Sequence, residues 1–216
     1  MQQTILDLFT YPSRTIDRLL AEKNYVQANR IFFLTMVVVS LSLVLSLYLQ
    51  QYKIAPISPW LITLVAIGPI GGLLFTRFLF RQLVKLGLLM VANQTYPSDP
   101  TERRERSQEL YLLYPYHVVS LIIPAVVLPF VVAPTSGDSL HLLAKLVLMI
   151  GYLLLSWGTL VFQIAVMVMI VKRVYNVTAA QAFWGPMLAY FLFAVAAGFI
   201  SVALALIITL AVRFLS

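Results

Sequence analysis

Along most of this chain apolar residues do not alternate with polar ones but run in unbroken blocks. Blocks near 31–49, 60–76, 111–132, 146–171 and 184–211 are each long enough, or nearly so, for the about 20 residues a helix needs to cross the hydrocarbon. In hydrocarbon every backbone N–H and C=O has to be paired within the protein, which leaves helix bundles and closed barrels. A barrel requires segments of about 10 residues with alternating polarity. Neither 146–155 (LVLMIGYLLL) nor 191–200 (FLFAVAAGFI) alternates. The pattern predicts an all-α fold: a polytopic membrane bundle of five transmembrane helices.

The flanks of these blocks refine the picture. Within residues 1–30, Ile5, Leu6, Leu8, Phe9, Ile16, Leu19 and Leu20 recur among charges at helical spacing, with a break at Tyr11-Pro12. This predicts a cytoplasmic amphipathic segment of short helices on the membrane surface, ahead of a transmembrane domain over 31–216. Its charges are too mixed for a signal-peptide n-region, so the first span is expected to be retained. Past the second span, 78–92 stays apolar apart from Arg81, Gln82 and Lys85. A straight helix over 60–92 would be about 50 Å long, so its C-terminal part is expected to bend or follow the interface. Asp99-Pro100-Thr101-Glu102 reads as an N-cap, a first-turn proline and an acidic third residue. Asn176 suits the left-handed residue that ends a helix, and Thr178 with Gln181 suits a capping box. Asp138 is expected to cap the helix beginning near Leu140.

Composition agrees with a bilayer protein: of 216 residues 61% are hydrophobic and 11% charged, with mean hydropathy +0.93, where soluble domains carry about 25% charged residues. The net charge of +7 is explained by where the cations sit. Arg14, Arg18, Lys23 and Arg30 precede the first span. Arg77, Arg81, Lys85, Arg103, Arg104 and Arg106 lie between the second and third, and Lys172 and Arg173 between the fourth and fifth. Only Lys53, Lys145 and Arg213 fall on the other side. The positive-inside rule then places the N-terminus in the cytoplasm and the C-terminus outside. The basic stretches lack the interleaved aromatics of a nucleic-acid surface, so no nucleic-acid partner is expected.

Ahead of the first span, Leu6-Asp7-Leu8-Phe9-Thr10-Tyr11-Pro12-Ser13-Arg14-Thr15-Ile16 resembles the short proline-containing lead-in of bacterial Yip-domain proteins. The third span opens on Tyr111-Leu112-Leu113-Tyr114-Pro115-Tyr116, followed by Pro124; the fourth carries Trp157 and is followed by Lys172-Arg173-Val174-Tyr175-Asn176. Both are similar to that family's aromatic–proline helix and to its tryptophan-containing helix with a basic–tyrosine hairpin. The resemblance covers nearly the whole chain and rests on the order of the motifs and the five spans. The family usually has glycine where this chain has Asn176, and the Asp-Leu-Tyr-Gly-Pro motif of its eukaryotic members is missing here. The resemblance implies a bacterial-type member in the plasma (inner) membrane. Eukaryotic members are associated with Ypt/Rab GTPases and vesicle traffic.

No serine–histidine–aspartate set, phosphate loop or paired intramembrane carboxylates appear. With no cysteine there is no thiol chemistry, and His117 and His141 fall on opposite sides, so no metal or cofactor is expected. Arg77, Arg81 and Lys85 at i, i+4, i+8 put three cations on one helical face. Together with Arg103, Arg104 and Arg106 they form a candidate site for anionic headgroups or an acidic partner. Gly68 and Gly72, a small-xxx-small pair around Pro69, predict close helix packing. Ser156 and Gln163 are expected to hydrogen-bond between helices. The function expected is that of a non-enzymatic scaffold for membrane lipids and a membrane-protein partner or second copy. The alternative is a small-solute permease or channel subunit that uses the Gly68–Gly72 break and the Pro115/Pro124/Pro129 helix as its irregular elements, although no Asp or Glu lies within a span.

Overall fold

In the computed structural model, which describes residues 2–51, 58–135 and 142–215, helices account for nearly all of the chain. They are α1 (Gln2–Thr10), α2 (Pro12–Glu22), α3 (Tyr25–Gln51), α4 (Pro59–Val91), α5 (Pro100–Val118), α6 (Ile122–Thr135), α7 (Leu142–Tyr175) and α8 (Ala179–Leu215), with a 3-10 turn at Val119–Leu121. Five stretches are long and apolar enough to cross a membrane: Tyr25–Leu49, Pro59–Val91, Pro100–Ala133, Leu142–Tyr175 and Ala179–Phe199. The chain is therefore an all-α, multi-pass membrane protein. Lys53, Asp138 and His141 lie outside the described residues, and so does the cap expected at Asp138.

Helix ends follow local chemistry. The Asp99 carboxylate accepts from the amides of Thr101 and Glu102 at 3.2 and 3.4 Å, with Pro100 in the first turn of α5. Thr178 Oγ1 accepts from the Gln181 amide at 3.2 Å, while Gln181 Oε1 accepts from the Thr178 amide at 3.1 Å. Asn176, at φ 52°, lets α7 stop at Tyr175, three residues before that cap. The 3-10 turn also has a covalent cause. Pro124 cannot donate to the carbonyl of Ser120, and its ring presses on that carbonyl, so the α-helix yields one turn earlier.

Contacts across the bundle gather the start of α3, the end of α4, the start of α5, the end of α7 and the start of α8 at one end. Arg77 reaches Asn29, Tyr96 stacks on Tyr175, and Gly87 meets Gly185. The buried core concentrates toward this cation-rich end, in Ile31, Phe80, Val84, Leu88, Leu110, Leu113, Tyr116, Ile170, Val174 and Ala182. Burial fades along the helices: between Pro59 and Thr76 no residue of α4 is buried. That surface, with Trp60, Leu64 and Phe75 exposed, is suited to acyl chains.

Three expectations are corrected. First, α1 and α2 do not merely rest on a membrane surface: Leu8, Ile16 and Leu19 are buried in the bundle core, and Phe9 stacks on Phe162 with ring centroids 4.7 Å apart. The helical spacing of their apolar residues made one sticky face, and the nearest apolar surface is the protein's own. Ion pairs from Arg173 to Asp17 at 3.1 Å and from Lys23 to Glu109 at 3.5 Å hold the polar side.

Second, α4 runs as one helix through Pro69, and its C-terminal half enters the core through Arg77, Phe80, Leu83, Val84, Gly87 and Leu88. It does not turn onto the interface, because its partners α3 and α8 bury those residues.

Third, Gly68 and Gly72 make no close packing with another helix among the described residues: beyond α4's own backbone, a methyl group at either would meet no atom within 4 Å. The close helix approach lies instead at Gly87 and Gly185. The Ser156 hydroxyl likewise donates within its own helix, to the Tyr152 carbonyl at 2.8 Å, and the Gln163 amide nitrogen is buried with no hydrogen-bond partner among the described residues.

Candidate functional site

The six cations singled out in the sequence separate into two groups. Arg81 and Lys85 from α4, Arg103 and Arg104 from the first turns of α5, and Tyr175 from the end of α7 line a cleft of about 490 Å³ at the cation-rich end. Tyr96, in the connection between α4 and α5, closes it, and Gln82, Ser107 and Gln108 complete the lining. No carboxylate faces this space. Among the described residues its four cations have no Asp or Glu within 4 Å, whereas Arg18, Lys23, Arg106 and Arg173 are all ion-paired.

Two features order the cleft. Arg103 Nε donates to the Pro97 carbonyl at 2.9 Å and a second guanidinium nitrogen donates to the Ser98 carbonyl. The side chain is thereby fixed by neutral acceptors that leave its charge uncompensated. Tyr96 and Tyr175 stack with centroids 5.7 Å apart and planes at 18°. Burial pushes the Tyr96 hydroxyl above its ordinary pKa and Arg103 partly opposes this, so at neutral pH it is a phenol able to donate. The geometry supplies a guanidinium–ammonium pair on α4 and a pair of guanidinium groups on α5, with neutral donors in the same lining. Such a set suits phosphate or carboxylate oxygens.

Arg77 and Arg106 do not belong to the cleft. Arg106 is held by Glu102 at 3.3 Å and Glu109 at 3.6 Å. Arg77 is buried: it donates to Asn29 Oδ1 and to the Tyr111 carbonyl, each at 3.0 Å, and its guanidinium carbon lies 3.5 Å from the Tyr111 ring centroid and 4.7 Å from that of Phe32. The Tyr111 carbonyl is free because Pro115, four residues on, has no N–H to give it. A parallel case lies deeper, where Pro129 frees the Ala125 carbonyl and Ser42 donates to it. Helical periodicity had placed Arg77 on the face of Arg81 and Lys85, but a turn of α4 nearer the bilayer meets α3 and α5 rather than solvent.

Of the motif residues, Tyr114 and Tyr116 are core, with the Tyr114 hydroxyl 2.6 Å from Thr76 Oγ1. Pro115 releases the carbonyl that holds Arg77, Trp157 is exposed, and Tyr175 walls the cleft. Sequence reasoning missed Tyr96, Gln82, Ser107 and Gln108. Ser107 and Gln108 had a signal, since each stands four residues after a cleft arginine and so on its face.

Because the first turn of α5 carries Arg103 and Arg104, its cap matters to the site. Asp99→Ala is expected to cost about 1 kcal/mol. Amide exchange at Thr101 and Glu102 checks this and should quicken while amides in the middle of α7 stay unchanged. No family model, no curated protein and no solved structure matches this chain.

Proposed function

We propose that this chain is a non-enzymatic membrane protein of the Yip type that gathers anionic lipid headgroups at its cytoplasmic end and so organises the membrane around it. The observation that carries the reading is the cleft in which Arg81, Lys85, Arg103 and Arg104 converge without a carboxylate. Basic pockets between transmembrane helices on the cytoplasmic side bind phosphate headgroups in this way. The cation asymmetry between the two ends supports a cytoplasmic N-terminus, and a bacterial plasma membrane supplies anionic lipid on that side. The order of Tyr114-Pro115-Tyr116, Trp157 and Tyr175-Asn176 supports the family reading. The permease alternative is less well supported, since α4 passes Gly68–Gly72 as continuous helix. The Pro115/Pro124/Pro129 helix is interrupted by the 3-10 turn at Val119–Leu121, but the carbonyls of Tyr111 and Ala125 that its prolines free are taken by Arg77 and Ser42 and not offered to a solute.

Native mass spectrometry of the intact protein, extracted and then titrated with phosphatidylglycerol or phosphatidylcholine, tests the reading. Phosphatidylglycerol should be retained and phosphatidylcholine lost. Replacing all four cleft cations by glutamine should weaken phosphatidylglycerol binding about tenfold or more, since a hydrogen bond to a charged group is worth about 1.5–3 kcal/mol. Arg106→Gln should bind as the parent does. Equal weakening in both variants would mean that diffuse charge, and not the cleft, attracts the lipid.

A further inference from the structure

We infer that the ligand of this cleft carries two phosphate groups, one held by Arg81 and Lys85 and the other by Arg103 and Arg104; the inference rests on the anionic-headgroup reading and specifies its ligand. Arg81 and Lys85 stand i, i+4 on α4, a spacing that brings two side chains onto one patch. Arg103 and Arg104 are adjacent at the start of α5, on the other wall of the same cleft. Each wall therefore offers two cations to the same space, and the two walls are separate helices.

Charge points the same way. A single phosphodiester in the cleft would leave most of four cations uncompensated, and nothing in the lining makes up the difference, because its remaining residues are tyrosine, glutamine and serine. Arg106 and Arg173 are paired with the protein's own carboxylates, while the other cations at this end without a described carboxylate within 4 Å, Arg14, Arg30 and Lys172, stand outside the cleft lining. Four free cations lining one cleft suit a polyanion. Size agrees: about 490 Å³ falls within the range of about 300–1,000 Å³ that holds a whole small molecule, far more than the five heavy atoms of one phosphate. The neutral donors Tyr96, Ser107 and Gln108 suit the bridge between two phosphates, where a hydroxyl or ester oxygen needs a partner without charge. Arg103 is already anchored through two of its five N–H groups, so it loses little side-chain freedom when the others meet a phosphate.

Two sources share this chemistry: a lipid with two phosphodiesters in one headgroup, and a soluble diphosphate. Native mass spectrometry titrations of the intact protein with cardiolipin, phosphatidylglycerol and inorganic pyrophosphate distinguish them. Cardiolipin should bind at least tenfold more tightly than phosphatidylglycerol. Either double variant, R81Q/K85Q or R103Q/R104Q, should bring cardiolipin down to the phosphatidylglycerol level while changing phosphatidylglycerol itself by about twofold, since one wall remains. The variants keep the acyl-chain contacts and so remove chain number as the cause, and unchanged thermal midpoints establish that they fold. Equal affinity for the two lipids in the parent protein overturns the two-phosphate inference and leaves the headgroup reading standing. Retention of neither lipid overturns both, unless pyrophosphate binds as tightly as cardiolipin was expected to; that result supports two phosphates and moves the ligand from the bilayer to solution.

Discussion

Gly87→Ala is expected to lower the thermal midpoint of the purified protein more than any other single methyl addition to a described glycine. A Cβ there would lie 2.0 Å from the carbonyl oxygen of Gly185, 2.2 Å from its carbonyl carbon and 2.9 Å from the nitrogen of Pro186. These are backbone atoms, so no rotamer change relieves the collision, and α4 and α8 have to separate at their crossing. Overpacking costs about 1–3 kcal/mol and occasionally more; a clash with rigid backbone belongs at the upper end. Gly185→Ala meets its nearest atoms at 3.1–3.2 Å, one of them a valine methyl, and should cost less. Gly68→Ala and Gly72→Ala meet nothing and should be neutral or gain up to about 1 kcal/mol from helix propensity. The ordering is the test: a Gly87→Ala protein that melts like its parent, or a Gly68→Ala protein that melts earlier, places the helix crossing elsewhere.

The same comparison locates what could be read from the sequence. The five spans were legible because an apolar block of bilayer length has one structural outcome. The caps at Asp99 and Thr178 were legible because they are local. Gly68 and Gly87 were not separable, since both are isolated small residues in an apolar helix and only the path of α8 decides which one is crowded. The destination of α1 was equally hidden, because an amphipathic face fits a bilayer surface and a bundle end alike, and Leu8 and Ile16 went to the latter. The cleft was half legible. Spacing found Arg81, Lys85, Arg103 and Arg104, and the pairing of Arg106 with Glu102 and Glu109 is local to α5, but the removal of Arg77 from the group depended on Pro115, far along the chain from α4.

Pro115 also supplies the sharpest test of how Arg77 is held. Arg77→Leu is expected to destabilise the fold by about 3 kcal/mol, because Asn29 Oδ1 and the Tyr111 carbonyl lose their charged donor in the interior and two ring contacts go with it. Loss of packing alone could produce a similar figure, so the single variant does not identify the cause. The carbonyl does. In a Pro115→Ala background, residue 115 regains an N–H positioned for the carbonyl four residues back, and Tyr111 is satisfied whether or not the guanidinium is present. Arg77→Leu should therefore cost about 1 kcal/mol less in that background, a coupling within the range expected for residues sharing one partner. Thermal or denaturant unfolding of the four proteins in one detergent measures it. Additive effects would assign Arg77's contribution to Asn29 and the aromatic rings and leave the proline as a packing residue. A positive coupling would tie a helix-breaking residue in α5 to a buried charge in α4, so that the Tyr114-Pro115-Tyr116 segment owes its shape to the arginine it holds.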